Sequence, residues 1–212
     1  MLSPALVVCE LGKKVSSFNY HAFCIHDYTG CVIVANLVGE THNFICLIHF
    51  NFWQLLDGIK IYELNRNVDE RGFFGEIFRT DWKDLLQGDE IVQANLSSSY
   101  PGMIRAWHRH NQGQVDYFIV IQGVVKICGY DEISGEINEI ISSEDKLQIV
   151  RIPGHYWHGL KNVGYKKATV MYLVNKLYNY ENPDEERRPW DDTSIVDKKS
   201  GLTFDWNRAP HK

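Results

Sequence analysis

The chain contains no apolar run approaching the roughly 20 residues that a membrane-spanning helix requires, so no membrane association is expected. Basic residues are the minority: 22 Lys and Arg against 27 Asp and Glu give a net charge of −5 and a pI of about 6.0. That balance leaves no basic patch of the size that sequence-independent phosphate-backbone binding needs, and no nucleic-acid partner is expected. Close Cys-x-x-Cys pairs are missing, so the cysteines (Cys9, Cys24, Cys31, Cys46 and Cys128) offer no paired spacing of the zinc-binding kind. The opening residues carry no basic side chain ahead of their short apolar run, and Lys13 and Lys14 follow it. This is the wrong order for a secretory signal, and a cytoplasmic protein is expected. Internal repeats, heptads and low-complexity stretches are missing as well, and the helical signal is confined to Trp82–Leu86.

Two compositional regions are present. Residues 1–55 carry five charged side chains (Glu10, Lys13, Lys14, Asp27 and Glu40) and all but one of the cysteines. They read as an N-terminal extension of unknown role that adds little to the activity. The alternatives are a small Cys- and His-containing metal-binding region, or a functional protein that starts near Leu55 or Leu56. Residues 56–212 read as one globular domain, since 212 residues with 44% hydrophobic and 23% charged positions can bury one substantial core.

Within that domain short alternating or apolar runs recur at Ile59–Leu64, Gly72–Phe78, Ile91–Ser97, Met103–His110, Asp116–Cys128, Glu136–Ile141, Leu147–Ile152 and Ala168–Asn175. Gly, Pro, Asn and Asp punctuate them, which argues for an all-β sandwich or barrel. A jelly roll of eight or more strands with the pocket in its interior fits best. The segment from Tyr178 onward, rich in charge, Pro and Trp, reads as irregular chain along the outside.

Histidines dominate the chemistry. His108 and His110 are two residues apart on a strand and share one face, with Trp107 and Arg109 on the other. The bland reading is one hydrogen-bonded core histidine and one at the rim. Arg105 has the parity of Trp107, so regular alternation turns it away from His108 unless the strand bulges. His158 follows the Pro153–Gly154 turn, and His155 is expected at the mouth, solvated.

The runs D-E-R-G-F-F-G-E (Asp69–Glu76), Q-A-N-L-S-S-S (Gln93–Ser99), G-M-I-R-A-W-H (Gly102–His108), I-P-G-H-Y-W-H-G (Ile152–Gly159), Met171–Tyr172 and E-R-R-P-W-D-D (Glu186–Asp192) stand in one order over most of the domain. In these the chain resembles the dTDP-4-dehydrorhamnose 3,5-epimerase family. The resemblance implies a cupin-like double-stranded β-helix with short peripheral helices, a homodimer, no cofactor, and an isomerase acting on a 4-keto-6-deoxy nucleotide sugar. It makes His108 the proton-abstracting base and Tyr172 the acid on the opposite face. Arg71, Glu76, Gln93, Asn95, Arg105, His158 and Glu185 become substrate-binding residues. The residue types suit the reaction: C–H bonds beside a carbonyl are acidified, a neutral imidazole can take such a proton, and arginine forks match diphosphate oxygens.

Two departures stand out. Asp116 occupies the place of the family lysine that would support the enolate oxygen, and the aspartate the family pairs with its histidine would lie beyond Trp206. The partner of His108 is then expected to be Asp116 or a group from a neighbouring subunit. The same residues support another reading, in which His108, His110, Asp116 and His158 hold one divalent metal ion in a metal-dependent cupin isomerase or dioxygenase. A third is a non-catalytic module that binds sugar nucleotides.

Overall fold

In a computed structural model of the chain the described residues are 8–11, 20–27, 30–37, 46–50 and 55–208, with side chains described for 55–208. The chain divides into two compact units, Met1–Gln54 and Leu55–Lys212. In the first, strands β1 (Val8–Leu11), β2 (Tyr20–Asp27), β3 (Gly30–Leu37) and β4 (Cys46–Phe50) form one antiparallel sheet in sequential order. The side chains of Cys9, Cys24, Cys31 and Cys46, weighed above as metal ligands, lie outside the described ones.

The second unit holds β5 (Lys60–Glu63), β6 (Asn67–Asp69), β7 (Gly72–Phe74), the short helix α1 (Lys83–Leu86), β8 (Gln93–Ser99), β9 (Ile104–Arg109), β10 (Val115–Gln122), β11 (Val124–Tyr130), β12 (Ile137–Ser143), β13 (Gln148–Pro153), β14 (Trp157–Asn162), β15 (Ala168–Val174), β16 (Glu186–Arg187), β17 (Val196–Asp197) and β18 (Leu202–Thr203). Two five-stranded antiparallel sheets carry the fold, in the orders β5-β13-β10-β15-β8 and β12-β11-β14-β9-β16. This is a cupin-like jelly roll.

Period-two alternation explains how each strand serves two layers. Phe118 and Val120 of β10, Val125 and Ile127 of β11, Leu160 of β14 and Val170 of β15 meet in the central core between the sheets. Tyr117 and Ile119, the intervening residues of β10, turn outward and pack with Leu85 and Leu86 of α1. On the back of the other sheet Trp107, Tyr130 and Trp157 pack with Ile195, Phe204 and Trp206 from the C-terminal segment. Because both sheets are covered on both sides, the Tyr117–Ile121 stretch of β10 reads as a continuous apolar run rather than an alternating one.

The structure corrects the sequence reading in three places. The run Asp116–Cys128 is not one strand but two, turning at Gly123, whose φ of +82° only glycine adopts without strain and where a Cβ would stand 3.0 Å from the Ala168 Cα. The tail after Tyr178 is not merely irregular: β16 pairs with β9 and extends the second sheet. Gly72–Phe78 contributes only the second strand of a small hairpin, with β6 as its partner.

Candidate active site

Strands β9 and β14 lie side by side in one sheet, and β10 and β15 in the other. His158 pairs with His108, and Phe118 with Tyr172. His108 therefore stands on one wall of the barrel interior and Tyr172 on the opposing wall. Between them is a cavity of about 730 Å³ lined by both residues and by Gln93, Asn95, Arg105 and Glu185.

Arg105 reaches this cavity because β9 is irregular. His158 pairs with His108 but Leu160 pairs with Arg105, so β9 spends one residue more than β14 over the same span. The extra residue resets the parity that would have turned Arg105 outward. Its guanidinium donates to the Ser98 carbonyl at 3.1 Å. Gln93 donates to Asn95 at 2.8 Å and accepts from the Tyr178 amide at 3.0 Å. The β8 amides are thus held on the inner face opposite His108.

His108, His110 and Asp116 form the floor, and His158 completes a cluster of four from behind it. One ligand-capable atom from each of His108, His110, Asp116 and His158 lies within 4.8 Å of every other. His110, Asp116 and His158 are buried, His158 completely. The bland reading of a rim histidine at position 110 fails here, because the residue just after β9 is buried, with its backbone amide donating to the Gly154 carbonyl at 2.7 Å. His158 Nδ1 is 2.8 Å from the Tyr156 carbonyl oxygen, and His110 Nδ1 is hydrogen-bonded to the Asp184 carbonyl oxygen. A carbonyl can only accept, so both rings carry hydrogen on Nδ1 and turn Nε2 toward Asp116 Oδ2, at 3.0 Å and 3.3 Å. Gln114 donates to Asp116 Oδ1 at 3.0 Å, and its amide is 3.1 Å from His110 Nε2. His158 Nε2 and Asp116 Oδ2 are nonetheless buried without an aligned hydrogen bond.

Protonation follows the surroundings. Burial, reinforced by His158, holds the His108 imidazole well below the usual histidine range despite the opposing pull of Asp116. His108 is accordingly a neutral ring with a free lone pair. Burial disfavours charge on Asp116, but hydrogen bonds from the His110 and His158 rings in their doubly protonated form outweigh it and hold its carboxyl below the ordinary value. Burial, then Asp116 and Glu185, push the Tyr172 phenol up, so Tyr172 keeps its proton and can donate it.

Not every residue named from the sequence lines the cavity. Arg71 sits at the β6–β7 turn, exposed and paired with Asp69 at 2.5 Å, and Glu76 pairs with Arg79 at 2.7 Å. His158 lies behind the wall rather than on it, under His108, with ring centroids 4.2 Å apart. His155 is exposed, as expected for the mouth. Gln114, Lys176, Tyr178, Tyr180 and Arg187 also line the cavity. They lie in turns and in the segment after β15, where no periodicity marks an inner face.

A family model described as the polysaccharide biosynthesis C-terminal domain matches residues 67–186. The chain is 37% identical over 158 residues to the probable low-salt glycan biosynthesis epimerase Agl13 of Haloferax volcanii, covering 72% of this chain and 96% of that protein. It is 35% identical over 158 residues to the spore coat polysaccharide biosynthesis protein SpsL of Bacillus subtilis, covering 72% and 97%. Among solved structures, the dTDP-6-deoxy-D-glucose-3,5-epimerase RmlC of Legionella pneumophila, in complex with dTDP-4-keto-L-rhamnose, is 28% identical with a TM-score of 0.60, over 67% of this chain and 78% of that one. With the ordered motifs, the two-sheet barrel and these likenesses in agreement, the chain belongs to the polysaccharide biosynthesis C-terminal domain family, on the sugar-nucleotide epimerase branch typified by dTDP-4-dehydrorhamnose 3,5-epimerase.

Proposed function

We propose that the protein epimerises a 4-keto-6-deoxy nucleotide sugar, removing a proton beside the carbonyl on one face and returning one from the other. The observation that carries this reading is the opposition of His108 and Tyr172 across one cavity, the first a neutral base and the second a protonated phenol. His108 takes the C–H proton and the electron pair of that bond moves into the ring as an enolate. Tyr172 then protonates the opposite face, and the stereocentre inverts. Arg105 serves the diphosphate, while Gln93, Asn95 and Glu185 meet the sugar hydroxyls. Arg71, on an exposed hairpin with Val68, Phe73 and Phe74, and Glu76, just after it, fit a homodimer in which they reach a neighbour's cavity.

The assay is deuterium incorporation. In heavy water a dTDP-linked 4-keto-6-deoxyhexose is expected to gain deuterium at C3 or C5 in the presence of the protein. A ligand that raises the melting temperature with no incorporation would make the protein a binding module instead.

A second reading is favoured by the floor of the cavity. Two buried atoms without an aligned hydrogen bond, His158 Nε2 and Asp116 Oδ2, and two rings whose Nδ1 protons are held by backbone carbonyls fit a divalent cation. His108, His110, Asp116 and His158 would hold it. Such an ion supplies Lewis-acid polarisation of a substrate oxygen, in a metal-dependent isomerase or dioxygenase.

A further inference from the structure

The enolate formed in the proposed reaction needs a positive partner, and Asp116 occupies the position where the family resemblance expects a lysine. A carboxylate there repels the developing oxygen charge. Four cationic residues border the cavity: Arg105, Lys176, Arg187 and Arg188. Arg188 is engaged elsewhere, stacked 4.1 Å above Trp157 and paired with Glu132 on the back of the sheet. Arg105 is held at the Ser98 end, beyond the β9 irregularity. Lys176 extends along the Gly113 turn.

Arg187 is placed differently. It pairs directly with His108 across the β16–β9 ladder. The adjoining pair, Trp107 and Arg188, exchanges both backbone hydrogen bonds, at 3.0 and 2.9 Å. The His108–Arg187 pair is therefore of the non-hydrogen-bonded kind, in which facing side chains lie closest and project from the same face. The opposite face confirms the register: Glu186 and Arg109 form their ion pair there at 2.6 Å. On the cavity side Glu185 holds one arm of the Arg187 guanidinium at 2.8 Å. An arginine fork can keep that bond and still donate to a second oxygen.

Resting on the epimerase reading, we infer that Arg187 is the cation that stabilises the C4 oxygen as the proton leaves for His108, in the role vacated at position 116. The step balances: the C–H electron pair becomes the C=C bond of the enolate, the carbonyl π pair moves to oxygen, and Arg187 donates a hydrogen bond to it without transferring a proton. Collapse of the enolate takes a proton from Tyr172, and solvent restores Tyr172 and His108.

The test measures deuterium incorporation into dTDP-4-keto-6-deoxyglucose by the wild-type chain, Arg187→Gln and Arg187→Lys, each checked for an unchanged melting temperature and each run with and without EDTA. Removing one oxyanion donor slows turnover by about 10²–10³-fold. Arg187→Gln is expected to lose kcat by that factor with KM within about threefold and a larger primary isotope effect. Arg187→Lys, which keeps the charge, is expected to recover to within about tenfold of wild type. A rise in KM at constant kcat would make Arg187 a ground-state binding group and overturn the assignment. So would full activity of Arg187→Gln, which leaves the epimerase reading standing. Activity indifferent to Arg187 but abolished by EDTA would give the role to a cation at the histidine cluster. No incorporation by the wild type would remove the epimerase reading and this inference together.

Discussion

His158 Nε2 stands 3.0 Å from Asp116 Oδ2 while Nδ1 of the same ring gives its proton to the Tyr156 carbonyl. The contact is therefore between a nitrogen lone pair and a carboxylate unless the ring takes a second proton or a cation intervenes. Excess zinc or manganese is expected to bind at about one equivalent per chain and raise the melting temperature, and His158→Ala is expected to abolish both effects. Under the epimerase reading the bound ion slows proton exchange, because it takes the His108 lone pair. Exchange that rises with metal occupancy, measured by titration against elemental analysis, would establish the metal-dependent reading in its place.

His108 and Tyr172 should separate the two halves of the reaction. His108→Ala is expected to reduce deuterium incorporation by about 10³-fold, with nucleotide-sugar binding by calorimetry retained. Tyr172→Phe removes only the donor on the far face. Its product is expected to show label exchanged by His108 with retained configuration, while inversion falls by about 100-fold. Equal loss of exchange and inversion in Tyr172→Phe would assign Tyr172 to proton abstraction.

Gly159 allows β14 to approach β9. A Cβ there would stand 2.2 Å from the Ala106 Cβ and 3.0 Å from the Arg105 carbonyl oxygen. Gly159→Ala must therefore push apart the two strands that carry His158 and His108. The expected cost is about 2–3 kcal/mol in denaturant unfolding, with a loss of exchange activity larger than the loss of folded protein. A variant of wild-type stability would show that the ladder gives way freely at this point.

The C-terminal segment is fastened by Arg208, which pairs with Glu139 and, at 2.7 Å, with Asp197. Burial raises both carboxyls, but the hydrogen bonds from Arg208, joined by Lys126 at Glu139 and by the Lys199 amide at Asp197, outweigh it and hold them below their ordinary values of 4.5 and 3.8. Both folded values lie below the unfolded ones. Their contribution is thus fully present above about pH 5 and is lost as the pH falls through the folded values. Arg208→Ala is expected to cost about 2 kcal/mol at pH 7, less than a fully buried pair because Lys126 still holds Glu139 at 2.8 Å. The difference between variant and wild type should shrink on acidification toward pH 3. A difference independent of pH would mean that Arg208 acts through its packing on the Phe204 ring alone.

Several site features follow from period two and the ordered motifs. His108, on β9, and His110, the residue that follows its end, are two apart in the chain and keep the expected common face: their rings meet in the floor cluster, 5.8 Å between centroids. Tyr172 and Asp116 were legible only through the motifs, since an inward tyrosine or aspartate looks like any other core-facing residue. Arg105 could be placed only conditionally, because a bulge depends on how β9 matches β14 and leaves no mark in the local pattern. Arg71 and Glu76 could not be placed at all, because each has a local partner two or three residues away that alternation does not reveal.

The sequence by itself determined the layered β-architecture and supplied the residues proposed here to handle the proton. Alternation and turn residues are local properties, and the ordered motifs carry the residue types. Only the tertiary structure decided which of those groups meet. The pairing of Arg187 with His108, the complete burial of His158 and the convergence of two Nε2 atoms on Asp116 each join strands far apart in the chain. Such meetings are set by sheet register and by backbone carbonyls that orient the rings, and these exist only once both sheets have closed on their common core.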